Sequence, residues 1–410
     1  MELFWDRIDL GEIRMRKVSL FCLVFAVSVM LAACARSEGT GDTSAETIES
    51  ESPDASAGTD QEQAQSEGTE SGTKDEEEEN PVSYLTGLAC TAEEQQMRPL
   101  AVMLNNIKAG CPQAGIGQAS VIYEAPMEKA DVTRLMPLFE NWQDMEYLGY
   151  IRSSRDYFVY CALEFDAIYA HFGQATPYVG AMLNSDQVDN ISGAVAGIDR
   201  PASNETYPRS DKRKAPHNVY TTGALLLDQA ERFEYSLTYH NTHKEKFTFA
   251  PLGERADYTG APDASALYPG GKSSGKANGY ANVQAYFEYN PQDNKYYRYQ
   301  YGAEHIDELT GEQLAVDNVI FQYCHGEFRD ENGYMSFMCH GGWEEGVDHG
   351  EDYKVQVFTG GKMIEGTWSR YADTDPALYV DENGDPIELN RGKTWICLIW
   401  NEHADDVVIE

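Results

Sequence analysis

The chain has 410 residues, of which 42% are hydrophobic, and it carries 68 acidic side chains against 31 lysines and arginines. The formal net charge of −37 repels the phosphates of nucleic acids, which excludes nucleic acid as a partner. The length accommodates two folded domains behind an N-terminal segment of different composition.

The N-terminal segment has the pattern of a bacterial lipoprotein signal peptide. A basic stretch at 14–17 is followed by an apolar run at 18–30 and by the lipobox Leu31-Ala32-Ala33-Cys34. An ordinary secretory signal and a transmembrane anchor are the alternatives. Small residues before Cys34 and an apolar run too short to span a bilayer argue against both.

We therefore predict a signal peptide at 1–33, with the true start at Met15, and an extracytoplasmic protein held on the bacterial membrane through a lipid on Cys34. Residues 34–80 form the predicted tether, which is rich in Ser, Gly, Thr and Glu and contains 15 acidic and 2 basic residues after Cys34. So polar and charged a segment cannot bury a core, and we expect it to be disordered.

Residues 81–248 carry both strand and helix patterns, which predicts an N-terminal α+β domain. One strand, 134–139, contains Pro137, which would suit a sheet edge or a bulge. The predicted strands are 99–105, 119–124, 134–139, 148–151 and 167–172, and the predicted helices are 156–165, 177–183 and 223–233.

Residues 249–410 have Gly, Pro and Ser punctuation between short alternating runs, and no helix is predicted there. This pattern indicates a mainly antiparallel β domain, so the fold class of the whole chain is α+β. The predicted strands are 284–289 and 296–301 as a tyrosine-rich hairpin, 318–324 and 334–339 as a second hairpin, and then 353–358, 362–368, 377–380 and 394–400.

The second hairpin bears on the cysteines, because an even number of them follows Cys34 and exported proteins can form disulfides. A turn centred between Glu331 and Asn332 places Cys324 opposite Cys339, where a disulfide is within reach. A type I′ turn on Asn332-Gly333 shifts the register and makes that bridge unfavourable. Both alternatives stay open at this level.

A cationic group lies at the predicted strand-to-helix junction near residue 152. Arg152, Ser153 and Arg155 precede the helix, and His171 ends the strand that follows it. Helix N-terminal amides and guanidinium groups together favour a carboxylate or phosphate ligand. The alternative is that these arginines pair with the acidic side chains of the chain.

A long polar loop at 199–222 contains the basic run Lys212-Arg213-Lys214, followed by His217, Asn218 and Tyr220. Loops of this length inside compact domains tend to be functional. We therefore expect one cleft in which this loop meets Arg134, Arg152, Arg155 and His171.

Several motifs in combination resemble the YerB-like bacterial lipoproteins, a family defined by a domain of unknown function. They are LNN at 104–106, GYIRSSRDYF at 149–158, AIYAHFG at 167–173, RKAPHNVYT at 213–221 and LNRGKTWI at 389–396. The resemblance implies an exported lipoprotein with an N-terminal α+β part and a C-terminal β part, and it implies no activity. Its polar motif residues fall on Glu124, Glu128, Arg134, Arg152, Ser153, Arg155, His171, His217, Asn218 and Tyr220.

Other patterns do not predict a metal or a cofactor. Cys324-His325 and Cys339-His340 could suggest zinc, but neighbouring residues on a strand point to opposite faces, so the four side chains do not converge. The chain has no GxxxxGK[ST] and no GxSxG motif.

These observations lead to three hypotheses. The first is a lipoprotein that binds an anionic or glycan component of the cell envelope, or a protein partner, through Arg134, Arg152 and Arg155. The second is an envelope hydrolase or transferase that uses His171 or His217 with Glu124 or Glu128. The third is a passive envelope scaffold.

The lipobox generates a first prediction. Replacing Cys34 by Ala removes the acylation site, so the protein should leave the membrane fraction while the unmodified chain stays in it. Immunoblots of separated membrane and soluble fractions measure this. If the variant remains with the membranes, the lipid is not the anchor.

Overall fold

The computed structural model describes residues 81–193, 195–273, 278–342 and 353–410. The predicted signal peptide, Cys34 and the tether lie outside the described residues. These described residues belong to one compact unit. Within the described ranges, no helix combines the length and the apolar character needed to cross a membrane.

The described helices are short and lie mostly in the N-terminal half. Helix α2 begins after the extended residue Arg155, and helix α4 is capped by Thr222, whose side chain accepts a hydrogen bond from Leu225 N at 3.2 Å. A short helix after residue 249, α5, was not predicted. The α-helices are α1 (Ala92–Gln96), α2 (Asp156–Leu163), α3 (Thr176–Leu183), α4 (Gly223–Arg232) and α5 (Gly279–Asn282), and 3-10 helices cover Lys108–Gly110, Ile116–Gln118, Glu128–Ala130, Trp142–Asp144, Asn204–Thr206 and Asn401–Asp406.

Strands make up most of the regular structure in the described part of the chain. In chain order they are β1 (Leu100–Val102), β2 (Val121–Pro126), β3 (Thr133–Phe139), β4 (Leu148–Gly149), β5 (Ile168–His171), β6 (Asn190–Ser192), β7 (Tyr220–Thr221), β8 (Thr248–Phe249), β9 (Ala266–Tyr268), β10 (Tyr286–Asn290), β11 (Lys295–Gln300), β12 (Ala303–Glu304), β13 (Ala315–Val316), β14 (Asn318–Cys324), β15 (Gly326–Phe328), β16 (Met335–Phe337), β17 (Lys354–Thr359), β18 (Lys362–Ser369), β19 (Leu378–Asp381), β20 (Glu388–Leu389), β21 (Thr394–Trp400) and β22 (Val408–Ile409).

A ten-stranded mixed sheet forms the centre of the molecule, in the order β19-β18-β17-β14-β21-β2-β3-β1-β5-β6. Strand β21 lies parallel to both of its neighbours, with Val121 of β2 opposite Thr394 and Asn318 of β14 opposite the same residue. The α+β fold class is confirmed. The proposed boundary after residue 248 separates two segments of the sequence that both contribute strands to this one sheet.

The tyrosine-rich hairpin is confirmed as β10 and β11, in which Tyr286 pairs with Tyr299. It belongs to a smaller sheet ordered β12-β11-β10-β9-β22, with β13 paired to β11. Tyr268, Tyr286 and Tyr299 stack across neighbouring strands, with ring centroids 5.3 and 4.6 Å apart. These tyrosines therefore stabilise the sheet as cross-strand pairs.

Pro137 lies in an interior strand, so its predicted position at an edge or bulge is wrong. Strand β3 has β2 on one side and β1 on the other. The ladder to β1 pairs Ala101 with Leu138 and resumes only at Leu104 and Leu135. The missing amide of Pro137 is accommodated by this local interruption of the ladder.

The two faces of the central sheet carry separate hydrophobic cores. Helices α2 and α3 cover one face, where Tyr123, Ala125 and Met136 point. Helix α4 and the smaller sheet cover the other face, to which Ile122 and Leu135 point. This alternation along β2 and β3 decides which polar side chains can meet.

The register of the second hairpin follows the first alternative, because Gly326 pairs with Phe337 and Met338 N donates to His325 O. Cys324 and Cys339 are not joined by a disulfide in the structure, and both side chains are buried. Strand β14 ends at Cys324, which pairs with Trp400 of β21, so this residue continues the central sheet rather than the hairpin.

A buried ion pair joins the two sheets. Arg298 of β11 donates to both carboxylate oxygens of Glu124 of β2, at 3.0 and 2.8 Å, and neither side chain is more than 1% exposed. Thr133 Oγ1 and Trp395 Nε1 also donate to Glu124, at 2.6 and 3.1 Å. All three donors converge on one carboxylate, which therefore holds strands from both segments of the chain.

Replacing Glu124 by Gln should leave the Arg298 guanidinium buried without its counter-charge. We expect the free energy of unfolding to fall by about 3 kcal/mol, measured by urea denaturation. Glu288, which is exposed on the neighbouring strand β10, provides the control, since Glu288→Gln should change stability little. Equal unfolding midpoints for the two variants would contradict the structural role of this pair.

Candidate functional site

The site lies where residues 152–155 cross the carboxyl ends of β1 and β5. Arg152 N donates to Met103 O at 2.9 Å, and Phe172 N donates to Arg152 O at 3.0 Å. Ser154 N donates to Gly173 O at 2.8 Å. The segment is thereby fixed by its backbone immediately before α2, at a sheet edge where loops commonly build binding sites.

Arg134 projects from β3 toward this segment. Its Nη1 donates to Ser153 O at 2.7 Å, and its side chain is buried. Burial lowers the pKa of Arg134 to about 10. No carboxylate forms an ion pair with Arg134 among the described residues.

Glu124 cannot neutralise Arg134, although only nine residues of sequence separate them. Arg134 pairs with Ala125 across the ladder, and Glu124 pairs with Leu135. Directly paired residues point to the same face and successive residues to opposite faces. Arg134 therefore lies on the α2 side, and Glu124 lies on the side of the smaller sheet.

Arg152 is the second cation of the site. Its Nη1 donates to Pro216 O at 3.1 Å, whereas its buried Nε has no hydrogen-bond partner. Burial, together with the neighbouring charges of Arg134 and Arg209, lowers the pKa of Arg152 to about 10. In the described part of the chain, Arg152 also lacks a carboxylate partner.

Arg209 completes what we name the arginine cluster, which is Arg134, Arg152 and Arg209. The exposed Arg209 side chain donates from Nη1 to Asn218 Oδ1 at 2.8 Å and covers the ring of Phe172 at 5.4 Å. Arg209 was not among the residues predicted for the site. Its position depends on the β-bridge between Arg209 and Val219, which no local sequence pattern predicts.

Arg155 follows the alternative interpretation, because it pairs with an acidic side chain. Glu128 Oε1 accepts hydrogen bonds from Arg155 Nε, at 2.5 Å, and from Nη2. The guanidinium also covers the ring of Tyr334 at 5.3 Å. Glu128 and Arg155 thus neutralise each other beside the arginine cluster.

His217 reaches the cluster from the long loop. Its Nδ1 lies 2.9 Å from the amide nitrogen of Asn105, which can only donate, so Nδ1 is the acceptor. Burial lowers the pKa of His217, and so does the charge of Arg152. Tyr220, in contrast, stacks on Tyr147 with centroids 4.4 Å apart.

The structure does not bring His171 into the cluster as a free base. His171 is fully buried, with Nδ1 at 2.9 Å from Gly173 O and Nε2 at 3.4 Å from Asn190 Oδ1. Burial lowers its pKa to about 4, so the ring is neutral at pH 7. Ser153 Oγ lies 3.4 Å from Phe172 O, and no histidine bonds to it in the described residues.

The basic run of the loop is held away from the cluster by the C-terminal segment. Lys212 and Arg213 both bind the carboxylate of Glu308, at 3.1 and 2.5 Å, and the hydroxyl of Tyr150 donates to the same group at 3.1 Å. Arg213 also covers the ring of Tyr150 at 4.7 Å. One acid from beyond residue 249 therefore pairs with two of the three cations of this run and fastens the loop.

Known protein families match this chain in two regions, one before and one after residue 248. The N-terminal domain of the family described as "Protein of unknown function (DUF3048)" matches residues 85–236, and its C-terminal domain matches residues 276–396. "Putative lipoprotein YerB" of Bacillus subtilis (strain 168) is 27% identical over 324 residues, which is 77% of this chain and 85% of that protein.

The crystal structure of YerB from Bacillus subtilis has the same fold, with a TM-score of 0.64 at 24% identity over 81% of this chain and 100% of that chain. The resemblance noted from the motifs is confirmed. Because the two matched regions together cover more than half of the sequence, the chain belongs to the DUF3048 family of proteins of unknown function.

Proposed function

We propose that this protein is an extracytoplasmic lipoprotein, anchored through Cys34, whose arginine cluster binds the anionic group of a cell-envelope component. The lipobox and the lipoprotein name of the Bacillus relative support the anchoring. The anion-binding role is our inference from charge and burial at the cluster.

One observation carries this proposal. Arg134 is buried and the neighbouring Arg152 is half-buried, and no described carboxylate pairs with either, although the chain has a net charge of −37. Like charges taken out of water repel and lose hydration energy. A phosphate or carboxylate between them would offset both costs with bidentate hydrogen bonds.

Neighbouring groups favour a ligand that is both anionic and polar. The Nε of Arg152 is an unused donor, and Asn105, His217 and Asn218 supply further polar atoms around the guanidinium groups. An anionic envelope polymer, or a glycan that carries acidic groups, has this chemistry. A protein partner with an acidic segment has it as well.

The enzymatic alternative has weaker geometric support. Glu124 is committed to Arg298, and Glu128 is committed to Arg155. The neutral ring of His171 has a single N–H, and both of its nitrogens face carbonyl oxygens of the fold, those of Gly173 and of the Asn190 side chain. The observations therefore favour binding over hydrolysis or transfer.

Substitutions can distinguish Arg152 of the arginine cluster from the nearby Arg155, which is paired with Glu128. Inorganic phosphate should raise the urea unfolding midpoint of the detergent-solubilised protein. Arg152→Ala should need at least a tenfold higher phosphate concentration to reach the same rise. Arg152→Ala should itself change stability little, because it removes repulsion from Arg134. Arg155→Ala should lower stability by about 1–3 kcal/mol, because it leaves Glu128 partly buried without a partner.

Arg255→Ala, which removes an exposed positive charge, is the control for a nonspecific salt effect. An equal response to phosphate in Arg152→Ala and the unmodified protein would contradict anion binding at the cluster. An equal loss of stability in Arg152→Ala and Arg155→Ala would also contradict anion binding at the cluster.

Glu308 gives an independent prediction about the loop that borders the cluster. Glu308→Gln should release Lys212 and Arg213, so trypsin should cleave within the basic run several times faster than in the unmodified protein. Mass spectrometry of the early fragments identifies the cleavage sites. Glu304→Gln changes an exposed acid nearby and should cleave at the normal rate. Equal rates for both variants would show that Glu308 does not hold the loop.

A further inference from the structure

Two buried cysteines from distant parts of the chain meet beneath the candidate site. Cys161 lies in α2, and Cys339 follows β16. Both side chains are fully buried in the same core. We propose that Cys161 and Cys339 form a disulfide bond in the exported protein, and the occurrence of this bond in the cell rests on the extracytoplasmic location proposed above.

The contacts of Cys339 place its thiol on the face of α2 that carries Cys161. Cys339 Sγ lies 3.5 Å from the carbonyl oxygen of Tyr157. In an α-helix this carbonyl accepts the amide of the residue four positions later, which is Cys161. The nearby Cys339 thiol also contributes to the raised pKa of the Cys161 thiol, which agrees with the two side chains lying close together on this face of α2.

Residues on both sides of Cys339 hold it in this position. The ring of Phe337 packs on Tyr157 with centroids 5.2 Å apart, and the ring of His340 packs on Tyr160 at 5.3 Å. Arg370 Nη1 donates to the carbonyl of Cys339 at 2.7 Å. The segment is thus fixed along α2 on either side of the thiol contact.

The same geometry distinguishes this bond from the Cys324–Cys339 bridge considered from the hairpin register. The Cys324 thiol donates to Gln322 O of its own strand at 3.7 Å. Cys339 Sγ lies against the carbonyl oxygen of Tyr157 in α2, and the carbonyl of Cys339 accepts a hydrogen bond from Arg370. The fold therefore favours Cys161 as the partner of Cys339.

The chemistry requires an external oxidant. The two thiols lose two protons and two electrons as the S–S bond forms, and the electrons reduce a second disulfide to two thiols by thiol–disulfide exchange. Exported oxidoreductases with a reactive disulfide belong to this chemical class of oxidant, and oxidised glutathione replaces them in vitro. Because burial raises the pKa of the Cys161 thiol, exchange should occur while the chain folds, before the core closes.

The bond would connect the N-terminal and C-terminal segments of the family beside the arginine cluster. Helix α2 begins directly after residues 152–155, and Cys339 belongs to the C-terminal segment. A cross-link across so long a stretch of chain restricts the unfolded state strongly. The oxidised protein should therefore be more stable than the reduced protein.

The test uses the full chain, extracted from membranes in detergent, and a second sample refolded with oxidised glutathione. Free thiols are blocked with N-ethylmaleimide, and the digest is analysed by mass spectrometry without reduction. We expect one cross-linked peptide that joins Cys161 to Cys339, and a fall in the urea midpoint after treatment with dithiothreitol. Cys161→Ala should abolish both results, whereas Cys90→Ala should leave both unchanged.

Two results would overturn the inference. One is a peptide that joins Cys324 to Cys339, and the other is maleimide on both Cys161 and Cys339 after oxidative refolding of the unmodified chain. The refolding arm does not depend on location. A protein that forms the bond in vitro but does not partition with membranes would contradict the proposed anchoring and leave the disulfide supported.

Discussion

The fold depends on the buried carboxylate of Glu124. It lies in the centre of the ten-stranded sheet and accepts two hydrogen bonds from Arg298, which belongs to the other sheet. The rings of Phe287 and Trp395 cover the Arg298 guanidinium at 4.9 and 5.1 Å, so the pair is closed off from water. A buried ion pair contributes little net stability compared with apolar packing, but an arrangement that separates the two partners leaves a charge buried without its counter-charge and is strongly disfavoured. This constraint fixes how the smaller sheet sits on the central one.

The arginines of this acidic chain fall into two groups, those with a carboxylate partner and those without one among the described residues. Arg155, Arg213 and Arg298 each have a carboxylate partner, and the partners are Glu128, Glu308 and Glu124. Arg134 and Arg152 have none in the described part of the chain, because β3 directs Arg134 to the face opposite Glu124. In a protein with more than twice as many acids as bases, the lack of a described carboxylate partner for these two arginines is the observation on which the proposed anion binding rests.

Contacts between the two family segments recur in the structure. Glu308 fastens the basic run of the long loop, Glu124 holds Arg298, and Glu164 holds Arg370 at 3.2 Å. The contact of Cys161 with Cys339 has the same character. The C-terminal segment therefore supports the loops and the helix that carry the arginine cluster, although the cluster itself comes entirely from residues before 249.

Local sequence patterns determined the elements of this protein. Alternating apolar residues located β1 to β3 and the hairpin of β10 and β11, helical spacing located α2 and α4, and the motif residues identified the family. Arg134 and Arg152 were both among the predicted site residues, because a strand end beside a helix start is visible in the sequence. These signals depend on periods of 2 and 3.6 residues, which any short stretch displays.

Only the tertiary structure decided which of these polar residues meet. Periodicity shows that Glu124 and Arg134 point to defined faces, but it does not show the register that puts them on opposite ones. Pairing between residues far apart in the chain decided four further features. They are the position of β21 parallel to and between β14 and β2, the interior position of Pro137, the inclusion of Arg209 in the cluster and the hydrogen-bond contacts of His171. Such pairing is selected by the packing of whole faces, and that information is not present in any local stretch of the sequence.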